Sequence, residues 1–70
     1  MKNVRVLKAL EDGPKTIDEI AETTKLSKME VRRYLLRFVE QGKVESYHKD
    51  GKLYWKLKEK NELEEEFKYV

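Results

Sequence analysis

Two helix-start signals lie close together in the first half of the chain, and they restrict its fold more than any other feature. The first is Thr16-Ile17-Asp18-Glu19 and the second is Ser27-Lys28-Met29-Glu30. In each, the hydroxyl of the first residue can accept a hydrogen bond from the backbone N–H of the fourth, whose carboxylate reaches back. Because only residues 20–26 separate the two signals, the sequence predicts two helices joined by a short turn.

Apolar residues at helical spacing predict three helices, over residues 2–11, 17–23 and 28–41. Gly13-Pro14 ends the first, and Gly42 ends the third because glycine readily adopts the left-handed conformation of a helix C-terminus. In the first helix, the inward side is predicted to hold Val4, Val6, Leu7 and Leu10. In the third helix, Val31, Leu35 and Phe38 are predicted to be buried, with Met29, Arg33, Leu36 and Arg37 on the opposite face and Arg32 at its edge.

Residues 43–58 change from helical spacing to alternation, which predicts a β-hairpin. Asp50-Gly51 fixes the turn, because a type I′ turn needs positive φ at both central positions. Counting outwards pairs Val44 with Leu57, Ser46 with Trp55 and His48 with Leu53 on the face that covers the helices. The other face pairs Glu45 with Lys56, Tyr47 with Tyr54 and Lys49 with Lys52. The tyrosine pair is expected to stabilise the ribbon, with base stacking as the alternative.

The positive charge of the chain is concentrated in one stretch. The formal net charge is only +2, yet residues 25–58 hold ten Lys/Arg against four Asp/Glu. Such a stretch is a candidate surface for a polyanion. Two alternatives remain open, namely ordinary solvated lysines and, for Arg33 and Arg37, intrahelical ion pairs with Glu30 and Glu40.

The last twelve residues, 59–70, are acidic and form a separate unit in our division of the chain into 1–58 and 59–70. Leu63, Phe67 and Val70 recur there at i, i+4 and i+7, which is typical of an amphipathic helix, and a frayed terminus is the alternative. This segment is expected either to pack on the domain as a closing helix or to form the seam of a homodimer.

Several function classes lack the residues that they require. The chain has no cysteine and a single histidine, His48, so we expect no metal site, and we expect no cofactor. No nucleophile and base stand at a recognisable spacing, and no glycine-rich phosphate loop is present. No apolar run is long enough to span a membrane. We therefore expect a cytoplasmic protein that is not an enzyme, and the basic stretch of residues 25–58 adds the expectation that it associates with the nucleoid.

The order of these elements resembles the winged helix-turn-helix domains of small bacterial and archaeal transcriptional regulators, over about residues 4–58. The resemblance is carried by residues 6–10, 16–21, 26–27, 31–35, 42–45 and 50–57. It implies a mainly α fold, with a three-helix core and a small antiparallel hairpin as the wing. It further implies that residues 28–41 form a recognition helix in the major groove of double-stranded DNA, and that the protein acts as a dimer. The residues that would face DNA are Ser27, Lys28, Met29, Arg32, Arg33 and Arg37 on the helix, and Lys49 and Lys52 on the wing.

A different function remains open for the same fold. Winged-helix domains can also serve as protein-interaction modules in larger assemblies without touching DNA. Met29 and Leu36 on the outward face, the modest net charge and the acidic tail favour this alternative. RNA binding through Tyr47 and Tyr54 is a third and weaker possibility.

Overall fold

The computed structural model describes residues 2–58, so the predictions for residues 59–70, including Leu63, Phe67 and Val70, lie outside the described part. Three helices are followed by a two-stranded antiparallel sheet, which confirms the predicted fold class. The elements in chain order are α1 (Lys2–Ala9), α2 (Ile17–Thr24), α3 (Lys28–Glu40), β1 (Val44–Lys49) and β2 (Lys52–Leu57).

Both capping boxes form as the sequence predicts. Thr16 Oγ1 accepts a hydrogen bond from the Glu19 N–H at 3.2 Å, and Glu19 Oε1 accepts one from the Thr16 N–H at 2.9 Å. At the start of α3, the Glu30 N–H donates to Ser27 Oγ at 3.1 Å, and the Ser27 N–H donates to Glu30 Oε1 at 3.3 Å. These bonds satisfy backbone donors that have no partner within the helix, so they fix where α2 and α3 begin.

The turn between α2 and α3 uses a left-handed residue that is not glycine. Lys25 has φ 67° and its N–H donates to Ala21 O at 2.8 Å. Buried Thr24 supports the turn, since its hydroxyl donates to Ile20 O at 2.7 Å and accepts from the Leu26 N–H at 3.3 Å. A lysine at a position that favours glycine gives no sequence signal for the end of α2.

The core lies where the three helices meet the inner face of the hairpin. Its buried apolar residues are Val6, Ala9, Leu10, Ile20, Leu26, Val31, Leu35, Phe38, Val44 and Trp55. Our prediction for Val4 was wrong, because Val4 is exposed. It lies two residues before Val6 and therefore about 200° around the helix from it. Ala9 takes the inward position instead, and α1 ends there rather than at residue 11.

The hairpin has the predicted register at all six pairs from Val44↔Leu57 to Lys49↔Lys52. Asp50 and Gly51 have φ 53° and 79°, as a type I′ turn requires. On the outer face, the rings of Tyr47 and Tyr54 stack with centroids 5.7 Å apart. This stacking agrees with the expected role of the two tyrosines in stabilising the ribbon.

A third chain segment pairs with β2 and was not predicted. The Lys15 N–H donates to Trp55 O at 3.0 Å, and the Trp55 N–H donates to Lys15 O at 2.8 Å. A bridge of one residue shows no alternation, so the sequence pattern could not reveal it. The bridge attaches the segment between α1 and α2 directly to the hairpin.

We expect Leu35→Ala and Leu36→Ala to affect stability very differently, although the residues are neighbours. Leu35 is fully buried and Leu36 is 45% exposed. Leu35→Ala should lower the free energy of unfolding by about 2–5 kcal/mol, because it leaves a cavity in the core. Leu36→Ala should change it by less than about 0.5 kcal/mol. Urea denaturation followed by circular dichroism measures both, and equal destabilisation by the two variants would contradict the packing described here.

Candidate nucleic-acid interface

The exposed face of α3 combines arginines with apolar side chains. Val31, Leu35 and Phe38 are buried, and this packing turns the opposite side of the helix outwards. The outward side chains are those that helical spacing predicted, namely Met29, Arg32, Arg33, Leu36 and Arg37, and all five are exposed. Met29 is 72% exposed, the largest value among the large hydrophobic residues described.

The three arginines of α3 form no ion pair with any residue between positions 2 and 58. The four ion pairs of this region are Lys2–Glu30, Lys15–Asp12, Lys28–Asp18 and Lys56–Glu45. The alternative in which Arg33 and Arg37 are neutralised by Glu30 and Glu40 is therefore not what the structure shows. The guanidinium groups extend from a helix whose inner side is rigidly packed, as a phosphate or base contact requires.

Glu30 is held away from the arginines by two partners. Its Oε1 accepts from the Ser27 N–H, and its Oε2 accepts from Lys2 Nζ at 3.2 Å. The hydrogen bond from Lys2 and the backbone hydrogen bond from Ser27 lower the pKa of the Glu30 carboxyl below its usual 4.5. Sequence reasoning found the capping role but missed Lys2, because no local pattern connects residues 28 positions apart.

Lys28 is paired with α2 rather than extended into solvent. Its Nζ lies 3.2 Å from Asp18 Oδ1, and both side chains remain largely exposed. An exposed pair of this kind is weak, so a phosphate can replace the Asp18 carboxylate as the partner of Lys28. Asp18 was not among the predicted site residues, although it connects the first turns of α2 and α3.

The wing approaches the same first turn of α2. A groove of about 490 Å³ lies between residues 16–19 of α2 and residues 52–55 of β2. Lys52 and Asp18 line this groove, and Asp18 is also the ion-pair partner of Lys28. Two predicted basic groups, the start of α3 and the tip of the wing, are thus brought to the same end of α2.

The tip of the wing carries two like charges directly opposite each other. Lys49 pairs with Lys52 across the turn, and both side chains are exposed. Facing like charges cost folding stability, and an anion bound between them removes that cost. His48, the neighbouring exposed residue, lies on the other face of the strand.

Within residues 2–58, no three or more His, Cys, Asp or Glu side chains lie together as metal ligands would. In the same range, no helix is both long and apolar enough to cross a membrane. The indole N–H of buried Trp55 has no hydrogen-bond partner among these residues.

Comparison with known proteins supports the same architecture. Residues 2–46 match the family described as bacterial regulatory protein, arsR family. None of the curated proteins compared with the sequence matches it.

Three solved structures share the fold of the described residues. A mutant of ZitR from Lactococcus lactis is 24% identical with a TM-score of 0.71, over 83% of this chain and 41% of its own. Stf76 from the Sulfolobus islandicus plasmid-virus pSSVx is 23% identical with a TM-score of 0.71, and the match covers 93% of this chain and 91% of Stf76. Human N-acetylserotonin methyltransferase in complex with SAM is 21% identical with a TM-score of 0.65, and the match covers 83% of this chain and 17% of the methyltransferase. The chain thus spans less than half of ZitR and a small part of the methyltransferase.

We expect the Lys2–Glu30–Ser27 contacts to make stability depend on pH in the acidic range. Because folding lowers the pKa of Glu30, its ionised form stabilises the protein above pH 4.5, and this stabilisation disappears as the pH falls through the lowered value. Glu30→Gln should therefore destabilise the protein at pH 7, and the difference from wild type should shrink below pH 4.5.

The matched control is Glu22→Gln, which removes the same charge from the exposed surface of α2. Thermal unfolding from neutral to strongly acidic pH measures both variants. A difference between wild type and Glu30→Gln that stays constant over this range would contradict the assignment.

Proposed function

The chain belongs to the arsR family of bacterial regulatory proteins, and from this premise we propose how it contacts DNA. We propose that its function is DNA-binding transcriptional regulation. In our proposal, α3 lies in the major groove of double-stranded DNA and the hairpin contacts the flanking backbone. The observation that carries this proposal is the exposed face of α3, where three arginines extend without an acidic partner among residues 2–58.

Each part of the surface has a chemical role in the proposal. Arg32, Arg33 and Arg37 present planar donor groups that can grip guanine O6 and N7, or a phosphate without reading sequence. Ser27 and Lys28 stand at the N-terminus of α3, where backbone amides and positive charge favour phosphate. Lys49 and Lys52 neutralise phosphates beside the wing, and Met29 contacts a base edge.

We further propose that the protein binds as a homodimer to two related half-sites. The seam would be formed by Leu63, Phe67 and Val70, whose i, i+4, i+7 spacing predicts that they share one side of an amphipathic helix. Exposed Val4 on α1 offers apolar surface that a second copy could cover. A domain this small also gains stability from association.

The proposal includes the cellular setting and the absence of catalysis. The chain regulates by binding rather than as an enzyme, and it acts in the cytoplasm on the nucleoid. It needs no cofactor or metal, since the proposed contacts consist of side chains with phosphate and base edges.

A second function is favoured by one specific observation, the exposure of Met29 and Leu36 on the outward face of α3. Apolar side chains at such positions are also typical of protein-interaction surfaces. In that alternative, the domain joins a larger assembly and does not touch DNA. A DNA titration separates the two functions.

We expect the chain to bind a random-sequence duplex with an affinity that falls steeply as salt rises, because phosphate contacts release counterions. Arg33→Ala/Arg37→Ala should weaken binding roughly 10- to 100-fold. It should also flatten the slope of log affinity against log salt by about one unit for each phosphate that the variant no longer neutralises. Fluorescence anisotropy at several salt concentrations measures both quantities.

The matched control is Arg5→Gln/Lys8→Gln, which also removes two positive charges. These residues lie beside Thr23, Thr24 and Lys25 at the carboxyl end of α2, away from Asp18 and the wing. The control should keep the affinity within about threefold of wild type and leave the salt slope nearly unchanged, since only long-range charge is removed. Absence of wild-type binding at low salt would reject DNA binding and favour the protein-interaction module.

We expect Leu63→Ala/Phe67→Ala to convert a dimer into a monomer, because it removes two of the three apolar residues of the proposed seam. Light scattering at micromolar concentration measures the molar mass of wild type and variant. Glu65→Ala, in the same segment but at a charged position, serves as the control and should remain dimeric. A monomeric wild-type protein would contradict the proposed seam.

A further inference from the structure

We infer that α3 reads methyl groups on DNA, with Met29 and Leu36 each contacting the C5 methyl of a thymine and Arg33 contacting a guanine between them. This inference rests on the proposed function and goes beyond it, because it states which kind of half-site the chain selects. Three observations support it, namely the position of these residues on α3, the arrangement of their charged neighbours and the spacing between them.

Met29, Arg33 and Leu36 occupy the centre of the outward face. At 100° per residue, they lie within about 60° of one another and directly opposite the buried side formed by Val31, Leu35 and Phe38. Leu36 is 45% and Met29 72% exposed, so neither contributes a fully buried side chain to the core. The three side chains that would enter deepest into the major groove are therefore, in chain order, the apolar Met29, the cationic Arg33 and the apolar Leu36.

The two charged residues next to Met29 in the sequence, Lys28 and Glu30, each have a partner outside α3. Glu30 accepts hydrogen bonds from Ser27 and Lys2, and Lys28 lies 3.2 Å from Asp18. These contacts keep the Glu30 carboxylate from competing with base acceptors for Arg33.

The chemistry of the major groove matches this arrangement. The thymine methyl is the apolar group that base pairs display there, and guanine presents the two acceptors that an arginine fork grips. Met29 and Leu36 are seven residues apart, so they lie roughly 10 Å apart along the helix axis. Three base-pair steps cover about the same distance, at about 3.4 Å each. The selected half-site thus contains two thymines about three base pairs apart with a guanine between them.

Thymine-to-uracil replacement tests this inference, because deoxyuridine keeps the base pair and removes only the methyl group. The duplex is first selected from a random library by the full chain, and its thymines are then replaced one at a time. We expect two replacements, about three base pairs apart, to weaken binding roughly fourfold each, the value of one buried methyl group. Insensitivity to every replacement, in a protein that binds the duplex, overturns the inference while the proposed function stands.

Variants assign each methyl to its residue. Met29→Ala should bind the thymine and uracil forms equally at one position, and Leu36→Ala should do so at the other. Met29→Leu should restore part of the preference for thymine over uracil that Met29→Ala loses. A variant that fails to fold could not show this recovery. Arg33→Ala should abolish the preference for guanine and keep both thymine preferences. If each single variant loses both thymine preferences and the guanine preference together, the three residues do not make separate base contacts.

Val39→Ala is the matched control. Val39 is an apolar residue of the same helix and is 40% exposed, but it lies about 80° around the helix from Met29. It should retain both thymine preferences. If Val39→Ala removes them as well, the apolar side chains act through the helix as a whole and the inference fails. Absence of any duplex binding by wild type would reject the proposed function itself, and this inference with it.

Discussion

Everything on the outward side of α3 depends on how its inward side packs. Val31, Leu35 and Phe38 are buried against the other helices and the hairpin, and a helix with three such residues cannot rotate without exposing them. The rotation of α3 is therefore set by the core. Because the side chains on the opposite side follow automatically, the hydrophobic interior determines the direction in which each arginine points.

Features that arise from short-range patterns were predictable from the sequence. Hydroxyl and glutamate three residues apart located the starts of α2 and α3, and Asp50-Gly51 fixed the register of all six hairpin pairs. Helical spacing separated the buried from the exposed residues of α3. These patterns succeed because capping, turn geometry and helical spacing involve residues within a few positions of each other.

Features that depend on tertiary contacts were not predictable. Lys2 reaches Glu30 across 28 positions, and Lys28 is held by Asp18 on a different helix. The candidate site therefore includes two residues outside α3, Lys2 and Asp18, which neutralise charges on α3 and which the sequence of α3 alone does not reveal. Lys25 ends α2 in a left-handed conformation that composition does not reveal, since most left-handed C-caps are glycine.

The two backbone hydrogen bonds between Lys15 and Trp55 hold the wing against the segment between α1 and α2. The strand β2 is paired on both edges, with β1 on one side and with residue 15 on the other, so it is the central strand of a minimal three-stranded arrangement. Lys52 lies three residues from Trp55, which is roughly 10 Å at the rise of a strand. Because residue 15 lies between α1 and α2, this pairing ties the position of the lysine-bearing tip to the segment that joins these two helices.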